Sequence, residues 1–149
     1  MKVLLATDGS NFSEAAVQAI ASQMRPEIAE VLLLQVVERS AFPIPPQMAP
    51  GYAPEKDEVL KEQFRQAQGS VDRAKEVLRS TGFRVSGRVI DAEIRTGILD
   101  VAAEWHADLI VLGSHGRRGI KRFLLGSVAE AVAHNAPCSV MIVRVRPTS

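Results

Sequence analysis

The stretch ADLIVLGSHGRRGIKRFLLGSVAEAVAH, residues 107–134, holds a predicted strand, a loop and a helix in succession. The apolar run DLIVLG (108–113) is typical of a strand that is covered on both faces of a parallel sheet. The following helix is predicted to begin at Ser127, which would cap it together with Glu130 three residues later. A buried strand that leads into a helix is the repeating unit of α/β folds, so this stretch decides the fold class.

The same alternation extends outward to both ends of the chain. Further strands are predicted at residues 2–7, 31–37, 84–91 and 139–145. Helices are predicted from Asn11, with Glu14 completing a capping box, within residues 56–80, and after Thr96. The order β-α-β-α-β-α-β-α-β predicts an open five-stranded parallel sheet, doubly wound, with helices on both faces and right-handed crossovers. We expect one Rossmann-like domain over residues 1–149.

Apolar residues recur at steps of three and four in the predicted helices, so each helix should turn one stripe toward the sheet. The predicted buried residues are Ala16, Ala19 and Ile20 in the first helix, Leu60, Phe64, Ala67, Val71, Ala74 and Leu78 in the second, and Ile98, Val101, Ala102 and Trp105 in the third.

Composition limits the classes of function. The chain has 149 residues, 46% of them hydrophobic, and a formal net charge of +1. This balance argues against a protein that coats nucleic acid, which usually carries a strong basic excess. The apolar runs are shorter than the roughly 20 residues of a membrane span. A single cysteine, Cys138, excludes an internal disulfide and a cysteine-based zinc site. We expect a cytoplasmic protein that does not bind membranes.

The loop after residue 112 has the residues of a phosphate site. Gly113, Gly116 and Gly126 are separated by two and then nine residues, and Ser127 follows. Glycines let a backbone approach phosphate closely, and the helix start at Ser127 favours an anion. Ligands of open α/β sheets bind at the carboxyl ends of the strands, where the strand order reverses. Asp8, which follows the first predicted strand, should lie on the same edge, where we expect it to serve the ligand; the alternative is that it caps the first helix region.

Other phosphate-binding loops are excluded by residue. The chain has no G-x-x-x-x-G-K-[ST] sequence, and TDGSNF stands after the first strand where a dinucleotide-binding domain would have G-x-G-x-x-G. A receiver domain would need clustered acids and a lysine on the last strand, which SVMIVRV lacks.

Three features of the sequence are open to more than one interpretation. The cations Arg117, Arg118, Lys121 and Arg122 either neutralise phosphate or form a solvated surface. The proline-rich segment SAFPIPPQMAPGYAP (40–54) is either a stiff connector or a lid. His115, inside the loop, either contacts phosphate or faces solvent, and we expect it to face solvent.

These residues together resemble the universal stress protein family, in its ATP-binding branch, over nearly the whole chain. The resemblance rests on TDGS, LLQVVE, DLIVLGSHGRRGIKRFLLGSVAEAV and APCSVMIVR. The family's G-2x-G-9x-G-[S/T] signature is complete. The resemblance implies the family's adenine nucleotide α-hydrolase-like fold and a nucleotide site formed by Ala6, Thr7, Asp8, Val36, Leu112, Gly113, Gly116, Arg117, Gly126, Ser127 and Val128.

The resemblance also implies the ligand and the partner. The ligand would be ATP, with ADP or AMP as alternatives, and Mg²⁺ would be held mainly through the phosphates. The last strand, residues 139–145, would pair with a second copy in a homodimer, and further protein partners are unknown. No catalytic residue and no metal site can be assigned by motif. We therefore expect an ATP-binding regulatory stress-response protein with weak or no hydrolysis; the alternatives are a nucleotide-free dimeric interaction module and a slow ATPase.

Overall fold

The structure is a computed structural model that describes residues 1–38, 53–115 and 124–145, with backbone alone for residues 53–57. Nine elements lie in these residues in the predicted order: β1 (Lys2–Ala6), α1 (Asn11–Gln23), β2 (Glu30–Val37), α2 (Ala53–Ser80), β3 (Arg84–Asp91), α3 (Ile94–Glu104), β4 (Leu109–Gly113), α4 (Ser127–Asn135) and β5 (Ser139–Val143). Most of the proline-rich segment 40–54 lies outside the described residues; its last two residues, Ala53 and Pro54, begin α2.

The described strands form one five-stranded parallel sheet in the order β3-β2-β1-β4-β5. The predicted fold class is confirmed. Consecutive strands are added in one direction from β1 to β3, and the order then reverses, so that β4 lies on the other side of β1. The central strands carry continuous apolar runs because both faces of the sheet are covered, and Val3, Leu4 and Leu5 are all fully buried.

Each face of the sheet has its own core. Alternate strand residues, such as Leu5 and Leu33, pack with α1 and α2 in one cluster. The residues between them, such as Leu4 and Leu32, pack with α3 and α4 in the other. The predicted helix stripes are confirmed for Ala16, Ala19, Ile20, Ala67, Val71, Leu78, Ile98, Val101 and Ala102, which are buried, whereas Leu60, Phe64, Ala74 and Trp105 are half-buried.

One predicted helix cap and one predicted helix start were wrong. Ser10, not Asn11, is the N-cap of α1, because its backbone is extended and its hydroxyl accepts from the Ser13 amide. The third helix begins at Ile94, before Thr96, because the Glu93 side chain caps it by accepting from the Thr96 amide. In both places adjacent polar residues offer several possible caps, and backbone conformation selects one of them.

None of the helices in the described residues has both the length and the apolar character that a membrane crossing requires.

Candidate functional site

The carboxyl ends of β1 and β4 lie side by side at the point where the strand order reverses. β1 pairs with β2 on one side and with β4 on the other, both in parallel. The chain leaves β1 after Ala6 and leaves β4 after Gly113. In open α/β sheets a crevice forms at such a point, because the connections depart to opposite faces. The predicted placement of Asp8 and Gly113 at one edge of the sheet is confirmed.

The turn after β1 is held by its own polar side chains. The Asp8 carboxylate accepts from the Ser10 amide at 2.9 Å, and the Thr7 hydroxyl donates to the Ser13 hydroxyl at 3.1 Å. Gly9 adopts a φ of 79°, a conformation that favours glycine. The Thr7 side chain therefore fastens α1 to the strand end, and the Asp8 carboxylate is fixed at the crevice, half-buried.

Four of the apolar residues predicted to line the site belong to one cluster. Ala6, Val36, Leu112 and Val128 all lie on the face of the sheet that α3 and α4 cover. They come from three strands and one helix that are distant in sequence. The structure thus brings together an apolar surface beside the crevice, on the face opposite α1.

The backbone of Val36 points into the crevice. The Thr7 amide donates to the Leu34 carbonyl, and the Ala92 amide donates to the Val37 carbonyl. Backbone groups in a parallel strand alternate sides, so Leu34 and Val36 face β1 while Val37 faces β3. β1 ends at Ala6, and the Thr7–Leu34 bond is the last one between these two strands among the described residues. The Val36 amide and carbonyl therefore face the space beyond the end of β1.

The start of α4 offers further donors. Gly126 is its N-cap and, having no side chain, cannot accept a hydrogen bond from a first-turn amide. Ser127 is the first helical residue. The predicted capping by Ser127 and Glu130 is therefore wrong, because Ser127 already has helical geometry and its hydroxyl cannot fold back as a cap. The first-turn amides, including those of Ser127 and Val128, receive no side-chain acceptor from a cap. Such a helix start attracts anions.

Gly113 accommodates a neighbouring helix. A Cβ at Gly113 would lie 2.7 Å from the carbonyl carbon of Phe12 and 2.8 Å from its Cβ. The first turn of α1 thus packs directly on the end of β4. This contact alone requires glycine, whatever the residue does for a ligand.

The two ends of the glycine loop are tied together. The Ser114 amide donates to the Val143 carbonyl at 2.9 Å, and the Gly126 amide donates to the Ser114 carbonyl at 2.7 Å. The chain therefore returns to the end of β4 before α4 begins. Of the predicted signature, Gly116 lies outside the described residues, as do Arg117, Arg118, Lys121 and Arg122.

His115 does not face solvent as predicted. Its Nδ1 lies 3.1 Å from the Ser114 hydroxyl, and its ring is 5.2 Å from the Phe12 ring, centroid to centroid. Its Nε2 is buried and has no hydrogen-bond partner in the part of the chain that the structure describes. The imidazole is covered because Phe12, which is far away in sequence, packs against it.

Sequence reasoning missed Phe12, Ser114 and Gly97. A large apolar residue within the polar run SNFSE is a detectable signal for Phe12. Ser114 carried no signal, although it is only 3% exposed. Gly97 lets α3 approach the Val36 side chain, since a Cβ there would lie 3.2 Å from both Val36 γ-carbons.

No cluster of three or more histidine, cysteine, aspartate or glutamate side chains suited to a metal ion occurs within residues 1–38, 58–115 and 124–145.

The fold and this crevice define a doubly wound α/β protein with an apolar surface, an exposed strand backbone and a helix N-terminus at one sheet edge. The universal stress protein family model matches residues 1–144, and the chain belongs to the universal stress protein family.

Two curated relatives cover most of the chain. Universal stress protein MJ0531 of Methanocaldococcus jannaschii is 34% identical over 143 residues, which are 96% of this chain and 81% of that protein. Universal stress protein YxiE of Bacillus subtilis is 32% identical over 145 residues, 96% of this chain and 98% of that protein.

Solved structures agree on the fold. The structure of MJ0577 from M. jannaschii superposes with a TM-score of 0.85 at 25% identity, covering 99% of this chain and 97% of that one. A universal stress protein in complex with cAMP superposes with a TM-score of 0.64 at 26% identity, covering 96% and 95%. The family protein of Archaeoglobus fulgidus in complex with dAMP shares the fold, with a TM-score of 0.67 at 22% identity and coverage of 96% and 97%.

Proposed function

We propose that this protein is a cytoplasmic regulatory protein of the stress response that binds ATP, or else ADP or AMP, at the crevice between β1 and β4. Occupancy of the site, rather than turnover, would carry the signal. Hydrolysis requires a positioned water and charge stabilisation at the γ-phosphate. The sequence assigns no residue to either role.

One observation carries the proposal: backbone donors and acceptors converge on an apolar surface at the crevice. The Val36 amide and carbonyl face the space beyond β1, where they match the paired donor and acceptor on the edge of an adenine. Ala6, Leu112 and Val128 supply apolar surface on the same side. The solved family member in complex with cAMP supports an adenine nucleotide as the ligand class.

The phosphates are assigned to the other end of the crevice. The amides of Ser127 and Val128 open α4 without a side-chain cap, so a phosphate can satisfy them. Gly113, Gly116, Gly126 and Arg117 complete the phosphate-binding set through the glycine signature. Mg²⁺ would be held mainly by phosphate oxygens, as Mg²⁺ usually is. Asp8 places a carboxylate just after the end of β1 and would approach the ion or the ribose.

We also propose a homodimer through β5. β5 is an edge strand, with β4 on its only paired side in the described residues. Its residues Val140, Met141, Ile142 and Val143 are apolar and half-buried. An apolar edge left unpaired is an aggregation hazard, and a second copy would complete its hydrogen bonds.

The test is calorimetric titration of nucleotide-stripped protein with ATP, AMP and adenosine in the presence of Mg²⁺, using Ser127→Asp and Ser127→Asn. The aspartate places a negative charge at the proposed phosphate position and should repel the phosphates. It should not destabilise α4, because an acidic residue in the first turn stabilises a helix. We expect Ser127→Asp to weaken ATP binding at least tenfold and leave adenosine binding unchanged. The asparagine variant, similar in size and neutral, should bind ATP nearly as wild type does.

Each outcome has a separate meaning. Equal ATP affinity in the two variants would place the phosphates away from α4. Absence of heat with every ligand in the wild type would contradict nucleotide binding and favour the interaction module. Rapid phosphate release by clean protein, lost on Asp8→Ala, would make the protein an ATPase.

A further inference from the structure

A chain of contacts runs from α1, on one face of the sheet, to the start of α4 on the other. The Phe12 ring packs on the His115 ring, and His115 Nδ1 lies 3.1 Å from the Ser114 hydroxyl. The Ser114 carbonyl accepts from the Gly126 amide at 2.7 Å. Gly126 is the N-cap of α4, whose first-turn amides point out of the helix. Each step in this chain is a direct contact.

Phe12 and His115 lie behind the proposed nucleotide site. Gly113 faces α1, because a Cβ there would meet the Phe12 backbone. The apolar residues assigned to the base, Ala6 and Leu112 among them, lie on the α3 and α4 face instead. The Phe12–His115 pair therefore contacts Ser114 from the side opposite the base surface.

The imidazole supplies something that a plain apolar ring would not. Its Nε2 is buried without a partner among the described residues, which costs stability. A phenylalanine would pack on Phe12 without that cost. What histidine adds is the hydrogen bond to Ser114, a buried residue that holds both the Val143 carbonyl and the Gly126 amide.

We propose that Phe12 and His115 are positioning residues of the nucleotide site. They fix Ser114, and through it Gly126, so that the first-turn amides of α4 are aligned with the crevice before a phosphate arrives. Preorganised donors bind more tightly than donors that must first be ordered. This inference rests on the proposed function for its ligand, but its structural part holds for the free protein.

The pair should control phosphate binding and leave nucleoside binding alone. We expect His115→Ala to weaken ATP binding at least fivefold, with adenosine affinity unchanged within twofold. His115→Phe keeps the ring contact and removes the bond to Ser114, whereas His115→Asn keeps a polar atom near the position of Nδ1 and removes the ring. Each should recover part of the affinity lost in the alanine variant.

A second readout separates positioning from a merely structural role. His115→Phe removes a buried nitrogen that has no partner among the described residues, so its thermal midpoint should equal or exceed that of the wild type, while its ATP affinity falls. A merely structural role predicts that affinity follows stability. Combining His115→Ala with Phe12→Leu should cost less ATP affinity than the sum of the single changes, because both break one contact chain.

The control is His134→Ala, which removes an exposed histidine of α4. ATP affinity of His115→Ala within twofold of this control would overturn the inference, as would an equal loss of adenosine and ATP binding. Hydrogen exchange of the Gly126 amide requires no nucleotide. It should be faster in His115→Ala than in His134→Ala, and unchanged exchange would overturn the inference. Wild-type protein that binds no ATP but shows this difference would contradict the proposed function alone.

Discussion

Gly113 and Phe12 approach so closely that a Cβ on the glycine would lie 2.7 Å from both the carbonyl carbon and the carbonyl oxygen of Phe12. Neither atom can rotate away, because both belong to the backbone of the first turn of α1. The end of β4 and the start of α1 are thus in direct backbone contact at the crevice.

Gly113→Ala should destabilise the protein by about 1–3 kcal/mol, the usual cost of overpacking. Urea unfolding measures it. Gly69→Ala is the matched control, because a Cβ at Gly69 would meet, among the described residues, only the flexible end of Arg73, at 3.4 Å. Because Gly69 lies within α2, Gly69→Ala should instead stabilise the protein by about 1 kcal/mol. A neutral Gly113→Ala would show that α1 can move. The expected loss also makes substitutions at Gly113 unsuitable as probes of nucleotide binding.

Gln35 is a buried polar residue whose replacement should stabilise the protein. Its side chain is 7% exposed, and its Oε1 has no hydrogen-bond partner within the described ranges. An unsatisfied buried acceptor costs about 1–3 kcal/mol, so Gln35→Met should raise the free energy of unfolding by roughly 1 kcal/mol. Gln18→Met, at an exposed position on α1, should change little. A loss of stability in Gln35→Met would mean that the amide has a partner.

The cap of α3 should make stability depend on pH. Glu93 accepts from the Thr96 hydroxyl at 2.7 Å and from the Thr96 amide at 2.8 Å, and these bonds lower the pKa of its carboxyl below the ordinary value of 4.5. A lowered pKa in the folded state means that the stabilisation is complete above the unfolded pKa and is lost as pH falls through the folded one.

Glu93→Gln should therefore be less stable than wild type at pH 7, and the difference should disappear in acid, below the folded pKa. Thermal unfolding at a series of pH values measures it. A difference that stays constant down to pH 2 would assign the effect to packing.

Val140→Pro should separate dimerisation from folding. The Ser114 amide donates to the Val143 carbonyl, so the backbone amides and carbonyls of Val143 and Met141 point toward β4. Those of Val140 point away from the sheet, at its open edge. Proline at position 140 removes an outward amide only, which edge strands tolerate. Sedimentation should show a monomer for Val140→Pro and a dimer for both wild type and Val140→Thr. A dimeric proline variant would place the interface elsewhere.

The fold could be predicted because the pattern of apolar residues shows which faces of each strand and helix are buried. Continuous apolar runs such as VLLLQVV mark strands buried on both faces, and the helix stripes at Ala16 and Val71 mark the faces they cover. The residues at strand ends, Asp8 and Gly113, were placed at one edge by topology alone. What could be predicted was the arrangement of elements and the edge on which a ligand would lie.

Details that depend on contacts across the fold could not be predicted. Ser10 and Asn11 are both good caps, and only the backbone conformation distinguishes them. The environment of His115 is created by Phe12, which arrives from the opposite end of the chain. The end of β1 decides whether the Val36 amide and carbonyl pair with β1 or face the crevice, and strand ends are hard to predict from sequence.

The hydrogen bond between the Gly126 amide and the Ser114 carbonyl has a consequence for how the sequence can change. Because the two ends of the loop are joined, residues inserted between Arg118 and Leu124 should displace neither the strand before the loop nor the helix after it. Doubling the length of such a closed loop adds only about 0.6 kcal/mol to the entropic cost of closing it. The part of the loop between β4 and α4 that follows Arg118 is therefore a position where a peptide tag or a recognition segment can be inserted while the surrounding α/β sheet keeps its architecture.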